Sequence, residues 1–358
     1  DVQAGTISVS TGGDITLNSG AGANVAGIRT LGNVTLTSGG AIVEGVDSAI
    51  VANLLTATAN GGGILLDSTA NQVNTLNASV PFFNSGDILF TNSPGTLLTV
   101  SNLLMAGSST KARITANDMD LSGTVSNVGG LVILRPLDLA RNVHIENSPT
   151  GGVLSLSPAE LQLVTNATVL EIGRLDGTGT LGVFNDITSA NVNAGTLRLL
   201  TGTDYLHSSG ASIGSAATPF AHNLEMRAGN NLQLANGNIF LLDNKSLKLF
   251  ADNDGSASGN LTIGAGTYRV GSSVNNSAGT MELKGADITI AVSGGGSGLV
   301  EVTGTGSQTI TSTVGDISID NLNNGTGTLT VRTDAGPQTL TAEGIVSVVA
   351  GTGTGTST

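Results

Sequence analysis

Apolar and polar residues alternate along this chain in short bursts, and each burst follows glycine, often with Asp or Asn beside it. Residues 12–20 read GGDITLNSG and 32–40 read GNVTLTSGG. The same phrase returns as GDILFTNS at 86–93, GNLTIGAG at 259–266, GADITIA at 285–291, GDISID at 315–320 and GTLTV at 327–331. The two-residue period of "DITL" and "NVTL" is that of a half-buried strand. Thr, Val and Ile suit such a surface. Gly tolerates positive φ, and Asp or Asn can bond back to nearby backbone, so the pair supplies a turn. Each phrase predicts a turn and then a strand of about four or five residues.

The spacing of these phrases predicts the architecture. Ile15 and Val34, Ile64 and Ile88, and Ile114 and Val132 are pairs of strand centres. Further centres fall near Leu154, Ile172, Leu197, Leu224, Leu247, Ile263, Ile288, Ile317 and Leu329. A loose period near ~20 residues is the mark of a solenoid whose coils accept insertions at their corners. Hairpin sandwiches or barrels, the rival reading, need turn signals every ~8–12 residues. The expected fold is all-β, a single-stranded parallel β-helix continuous over residues 1–350. One coil per ~20 residues at ~4.8 Å per coil gives roughly 17 coils over about 80 Å.

Excursions interrupt the pattern. In LSPAELQLV, 156–164, Ser157 is placed as an N-cap, Pro158 at the first helical position and Glu160 in the first turn, predicting one or two helical turns. LDLARNVHI, 137–145, is a second, ambiguous excursion, and VPFFNSG, 80–86, is a corner whose two Phe cap the core or cover a loop. The tail GTGTGTST, 351–358, is expected to be flexible.

Composition sharpens this. Of 358 residues 52 are Gly, only 3% are aromatic, and 39% are hydrophobic. Such a chain buries medium-sized aliphatic side chains, which suits a narrow layered core. A net charge of −13 argues against nucleic acid, whose phosphates need Lys and Arg, and against anionic lipid. There is no Cys, hence no disulfide or thiol chemistry. No stretch approaches the ~20 apolar residues of a spanning helix. DVQAGTISVS at the start lacks the halves of a signal peptide, which suggests a mature or excised piece.

The segment 131–188 carries "VILRP", then "LSLSPAELQLVTNATVLEIG", then a Gly-Thr turn into "LGVFNDIT". This order resembles a recurring unit of the filamentous haemagglutinin-like exoproteins, the substrates of two-partner secretion. "GDITLNSGAG" and "LTIGAGTYRV" resemble the β-helical repeats of the same proteins. The resemblance implies a right-handed parallel β-helix, secreted through an outer-membrane transporter and displayed on or shed from the bacterial surface. It implies an adhesin, with roles in aggregation and biofilm. The family's Asn-Pro-Asn-Gly secretion motif is not in this chain, so an internal or processed portion of a longer protein, or a relative exported differently, is expected.

Candidate chemistry is sparse. β-Helices also carry polysaccharide-cleaving sites, which need paired carboxylates or acidic Ca²⁺ ligands with a basic residue. The nearest groupings are Asp118 with Asp120 in NDMDL and Asp252 with Asp254 in ADNDGSASGN. A spacing of two places both carboxylates on one face of a strand; the competing role is a solvated corner. The Asp252 loop lacks the later ligands of an EF-hand. His144, His207 and His222 are scattered, with no zinc-like spacing. The Gly-rich TGTGTLGV and GGGSGLVEV lack a P-loop Lys, and the Thr spacing is too irregular for an ice-binding array. Asn33, Asn60, Asn71, Asn92, Asn185 and Asn260 are candidates for side-chain ladders running from coil to coil.

No residue is therefore expected to be catalytic, cofactor-binding or metal-binding, and no cofactor is expected. The expectation is a non-enzymatic extracellular solenoid acting as a stiff shaft or matrix element, its partners being cell-surface glycans or proteins. Copies of itself are the alternative partner: a filament subunit assembled end to end, since both ends read as open strand edges. A polysaccharide lyase or hydrolase is the third reading.

Overall fold

The structure, a computed structural model, describes residues 5–18, 26–45, 48–82, 86–107, 110–234, 237–271, 279–292, 299–304, 307–321, 328–333 and 337–349. The tail at 351–358 and Phe83 lie outside these residues. Among the described residues the strand pairings are parallel, and the chain is a parallel β-helix. Contacts divide it into two compact units: Asp1–Val143, Ser148–Gly173 and Asn193–Gly195; and His144–Asn147, Arg174–Val192 and Thr196–Thr358.

In the first unit one face stacks Ile7–Thr11, Asn33–Ser38, Ser48–Ala59, Gln72–Val80, Leu98–Met105, Val125–Asn127 and Val164–Thr165. A second face stacks Ile15–Leu17, Ile42–Glu44, Ile64–Leu66, Ile88–Thr91, Lys111–Thr115, Leu131–Arg135 and Val169–Arg174. The second unit has three faces. The first runs from Thr196–Thr201 through Asn223–Ala228, Ser246–Phe250, Thr280–Gly285 and Gln308–Ser312 to Gln338–Thr341. The second runs from Leu181–Val183 through Tyr205–His207, Leu232–Leu234, Leu261–Ile263, Ile288–Val292 and Ile317–Asn321 to Val346–Val349. The third holds Ser212–Ile213, Asn238–Leu241, Gly266–Val270, Leu299–Gly304 and Thr328–Thr333.

Every strand centre named from the pattern lies in a strand. The coil length is different from the expectation. Ile15 pairs with Ile42, Ile42 with Ile64 and Ile64 with Ile88, so most coils here are longer than the expected period. Coil length also varies: Ala112 pairs with Val132, but the next rung joins Val132 to Leu170 and encloses the helical excursion. Among the described residues the rungs are fewer than the roughly 17 coils expected. Among the described residues this face carries seven rungs in the first unit, and the first face of the second unit carries six. The reason is that successive phrases lie on different faces. Ile15 and Val34, in neighbouring phrases, belong to two different sheets.

Alternation along each strand sends one column of side chains inward. Leu199, Met226, Leu249, Leu283 and Ile310 follow one another in register and are fully buried. Tyr205, Leu232, Leu261, Ile288 and Ile317 form a parallel column. Burying each such side chain contributes about 1.5–3 kcal/mol. At the last described strand this column reaches Val346, and the neighbouring column through Ile319 reaches Val348; they are 45% and 63% exposed.

The repeated Gly-Asx phrase has a structural cause. Asp204 Oδ1 accepts from the backbone N–H of Asn231 at 3.0 Å, and Asn231 Oδ1 from that of Asn260 at 3.1 Å. Asn260 serves Asp287 at 3.3 Å, Asp287 serves Asp316 at 2.7 Å, and Asp316 serves Ile345 at 2.7 Å. Each Asx thus reaches one coil onward and ties down the turn that begins the next strand. The glycine makes room for it. A Cβ on Gly315 would sit 1.9 Å from Asp287 Oδ1, and one on Gly344 2.2 Å from Asp316 Oδ1. In the first unit Asp14 bonds the N–H of Ala41, and a Cβ on Gly40 would meet Asp14 Oδ1 at 1.9 Å.

Buried asparagines also tie coils together, their Oδ1 reaching back to the preceding coil. Asn71 Oδ1 accepts from Ile50 N–H at 2.6 Å, while its amide donates to the Leu66 and Thr91 carbonyls and to Glu44 Oε2. Asn92 bonds both the N–H and the carbonyl of Val73. Asn60 donates to Ser38 O, and Asn185 accepts from Asn147 N–H. Asn33 instead lies within a strand, in register with Leu54.

The helix forms where its caps predict, over Pro158–Leu161. Ser157 Oγ accepts from Glu160 N–H and the Glu160 carboxylate accepts from Ser157 N–H, a capping box. The segment 137–145 forms no helix; it turns and then enters the strand Val143–Ile145. Phe82 stands 59% exposed at its corner and so does not cap the core.

Candidate functional site

The first unit holds a cleft of about 560 Å³ lined by Leu97, Met119, Pro149, Val153 and Ser155 together with Asp118, Asp120 and Glu160. Its floor is the strand Met119–Leu121, in register with Leu98–Val100. Met119 and Leu121 are buried in the core, alternation turns Asp120 outward, and Asp118, in the bend just before the strand, lines the same cleft. One wall is the turn at 93–97, held from within by buried Asn92, whose amide reaches the carbonyl of Thr96. The other is the loop at 149–153, where Arg141 reaches the carbonyl of Val153 at 3.4 Å.

The three carboxylates have different freedom. Asp118 is paired with Arg141, whose Nε also donates to the Asn117 carbonyl, so this carboxylate is fixed in direction. Glu160 is spent: Oε1 accepts from Leu121 N–H at 3.0 Å and Oε2 from Ser157 N–H and Oγ, each at 2.7 Å. Asp120 is exposed, and no partner contacts it among the described residues. Leu97, across the cleft, is 56% exposed.

The second unit carries a charged outer face. Arg198, Glu225, Lys248 and Glu282 occupy one outward column in consecutive rungs. Arg198 lies 3.3 Å from Glu225, and Lys248 3.7 Å from Glu282. Arg227 also pairs with Glu225, donates to Asn253 and lies 4.8 Å over the Phe250 ring. Beside this column is a cleft of about 470 Å³ lined by Arg227, Lys248, Phe250, Asp252, Asp254, Glu282 and Lys284. Asp252 and Asp254 bond within its loop. Asp252 Oδ1 accepts from Ala257 N–H and Ser256 Oγ, and Asp254 from Ser256 N–H. This holds Asp252 and Ala257 at φ of 54° and 65°.

The histidines do not meet. His144 packs against Phe184 with centroids 4.6 Å apart and lies 3.4 Å from Glu146; His222 packs edge-on to Phe220. His207 is buried in the core. Its Nε2 faces the Ala211 carbonyl at 3.0 Å, and a carbonyl only accepts, so Nε2 carries the proton. Nδ1 then accepts from the Tyr205 hydroxyl at 3.1 Å. Burial pushes His207 below its ordinary pKa, against the Ala211 bond, and keeps the ring neutral. Burial likewise raises the Tyr205 and Tyr268 hydroxyls and the Glu44 carboxyl.

No family model, curated protein or solved structure matches this chain.

The site therefore rests on geometry alone. Asp118 and Asp120, two residues apart, line the same cleft. Leu97, Val153 and Arg141 had no signal of their own: the first two line the cleft, and Arg141 bonds Asp118 and the Val153 carbonyl. No group of three or more His, Asp or Glu among the described residues is placed to hold a metal ion.

Proposed function

We propose that this chain is a structural and adhesive β-solenoid of a secreted bacterial surface protein, a stiff shaft that carries binding surface away from the cell. The observation that supports it most is the Asx ladder repeated from Asp204 to Ile345, a device that propagates coils. Stacked coils resist bending because strands within the stack bond the coils on either side, and weak contacts repeated along a stiff body add through multivalency. The net charge of −13 suits a surface that avoids nucleic acid and anionic lipid. Among the described residues no helix is long and apolar enough to cross a membrane. The resemblance over 131–188 to two-partner-secretion exoproteins supports export through an outer-membrane transporter.

A second reading has one observation in its favour. Val346 and Val348 continue buried columns yet are exposed among the described residues, an apolar strand surface of the kind that a further coil of a second copy would cover. Electron microscopy of the full chain over a dilution series separates the two. Short separate rods at every concentration support the shaft. Filaments that lengthen with concentration support end-to-end assembly. Round or flexible particles refute both.

A further inference from the structure

We propose that the cleft at Asp118 and Asp120 binds a segment of uncharged sugar chain; the proposal rests on the adhesive reading and gives it a ligand. Three features carry it. The volume, about 560 Å³, falls in the range of small-ligand sites. The lining joins apolar walls, Leu97, Pro149 and Val153, to a few polar groups on the floor. A pyranose ring has the same division, with C–H faces that cover apolar side chains and equatorial hydroxyls that donate hydrogen bonds.

The polar groups are two acceptors, Asp118 held by Arg141 and Asp120 placed by its strand backbone. Arg141 holds Asp118 in one orientation, and Asp120, two residues on, lines the same cleft. Beside the Asp118 oxygen that Arg141 holds, the two carboxyl groups offer further acceptors to sugar hydroxyls, and charge-assisted bonds are the strong ones. The walls are also set before binding. Asn92 braces one turn, and Arg141 and the Glu160 cap brace the other side, so little ordering remains to oppose the ligand. The same carboxylates repel uronate or sulfated chains. A cationic peptide is the competing occupant by charge, but the apolar walls beside the acceptors favour a ligand that spreads its donors.

The test is isothermal titration of the full chain with cellohexaose, chitohexaose and laminarihexaose, with polygalacturonate and oligolysine as controls. Binding of at least one uncharged hexasaccharide and none of polygalacturonate is expected. Asp120→Ala, an exposed change, should weaken that binding about tenfold or more by removing charged acceptors. Leu97→Ser should weaken it severalfold, and Asp254→Asn in the other unit should leave it unchanged. No binding of any uncharged sugar, binding that ignores both Asp120→Ala and Leu97→Ser, or binding of oligolysine alone would overturn the proposal. A chain that forms rods but binds no sugar sinks the cleft and leaves the shaft. A chain that binds sugar but forms no rods does the reverse.

Discussion

The Gly-Asx rung makes a prediction that inverts with background. Replacing Gly315 by Ala places a Cβ 1.9 Å from Asp287 Oδ1 and 2.9 Å from its Cγ, with no backbone atom among its closest neighbours. The carboxylate must swing away and release the Asp316 N–H it holds at 2.7 Å. Asp287 is exposed, so water replaces part of that bond, and its loss costs about 0.5–1.5 kcal/mol. Alanine also removes unfolded-state freedom, a gain of about 0.4–1 kcal/mol where φ is compatible, and Gly315 is not among the positive-φ glycines. In the native background the two effects oppose, and Gly315→Ala is neutral to mildly destabilising. With Asp287→Ala already present there is nothing to displace, and the same change should stabilise by about 0.4–1 kcal/mol. The coupling between the sites is the lost bond, about 0.5–1.5 kcal/mol. Urea unfolding of the four proteins reads it, with tyrosine fluorescence as probe: both tyrosines, Tyr205 and Tyr268, are buried in this unit. A coupling within about 0.3 kcal/mol of zero, the additivity expected of independent sites, would refute the reasoning.

Asn71→Ala should cost about 3 kcal/mol or more, since it leaves Ile50 N–H and the Leu66 and Thr91 carbonyls buried without this partner; a loss under about 1 kcal/mol in chemical unfolding counts against the buried ladder. Glu225→Gln should destabilise the second unit by about 1–3 kcal/mol, because a carboxylate only 10% exposed answers both Arg198 and Arg227, and the loss should persist in high salt; full rescue by salt would place the pair in solvent. His207 is depressed by burial, so the unfolded chain binds its proton first. Stability from this group is complete above about pH 6.5 and falls as pH drops below it, and His207→Gln should flatten that part of the urea-midpoint profile; an unchanged slope would show that His207 is not its source.

Some of this protein was written locally. The period of two in "DITL" and its relatives determined strands, because alternation along an extended chain is a property of the backbone itself. Ser157, Pro158 and Glu160 determined the helix start, because each cap bond closes within a single turn. The Asx ladder was legible as a class, and Asn60, Asn71, Asn92, Asn185 and Asn260 all reach other coils. Register was decided only by the tertiary structure. Arg198, Glu225, Lys248 and Glu282 stand in one column although unequal lengths of chain separate them. A corner insertion leaves the rungs above and below unchanged, and closing a longer loop costs only slowly more entropy, so spacing carries little information about which strand stacks on which. The cleft is the extreme case. Leu97, Asp118, Arg141 and Val153 meet because four coil segments end near one another, and nothing in any one segment announces the other three. Strand and turn were properties of short sequence; neighbourhood was a property of the stack.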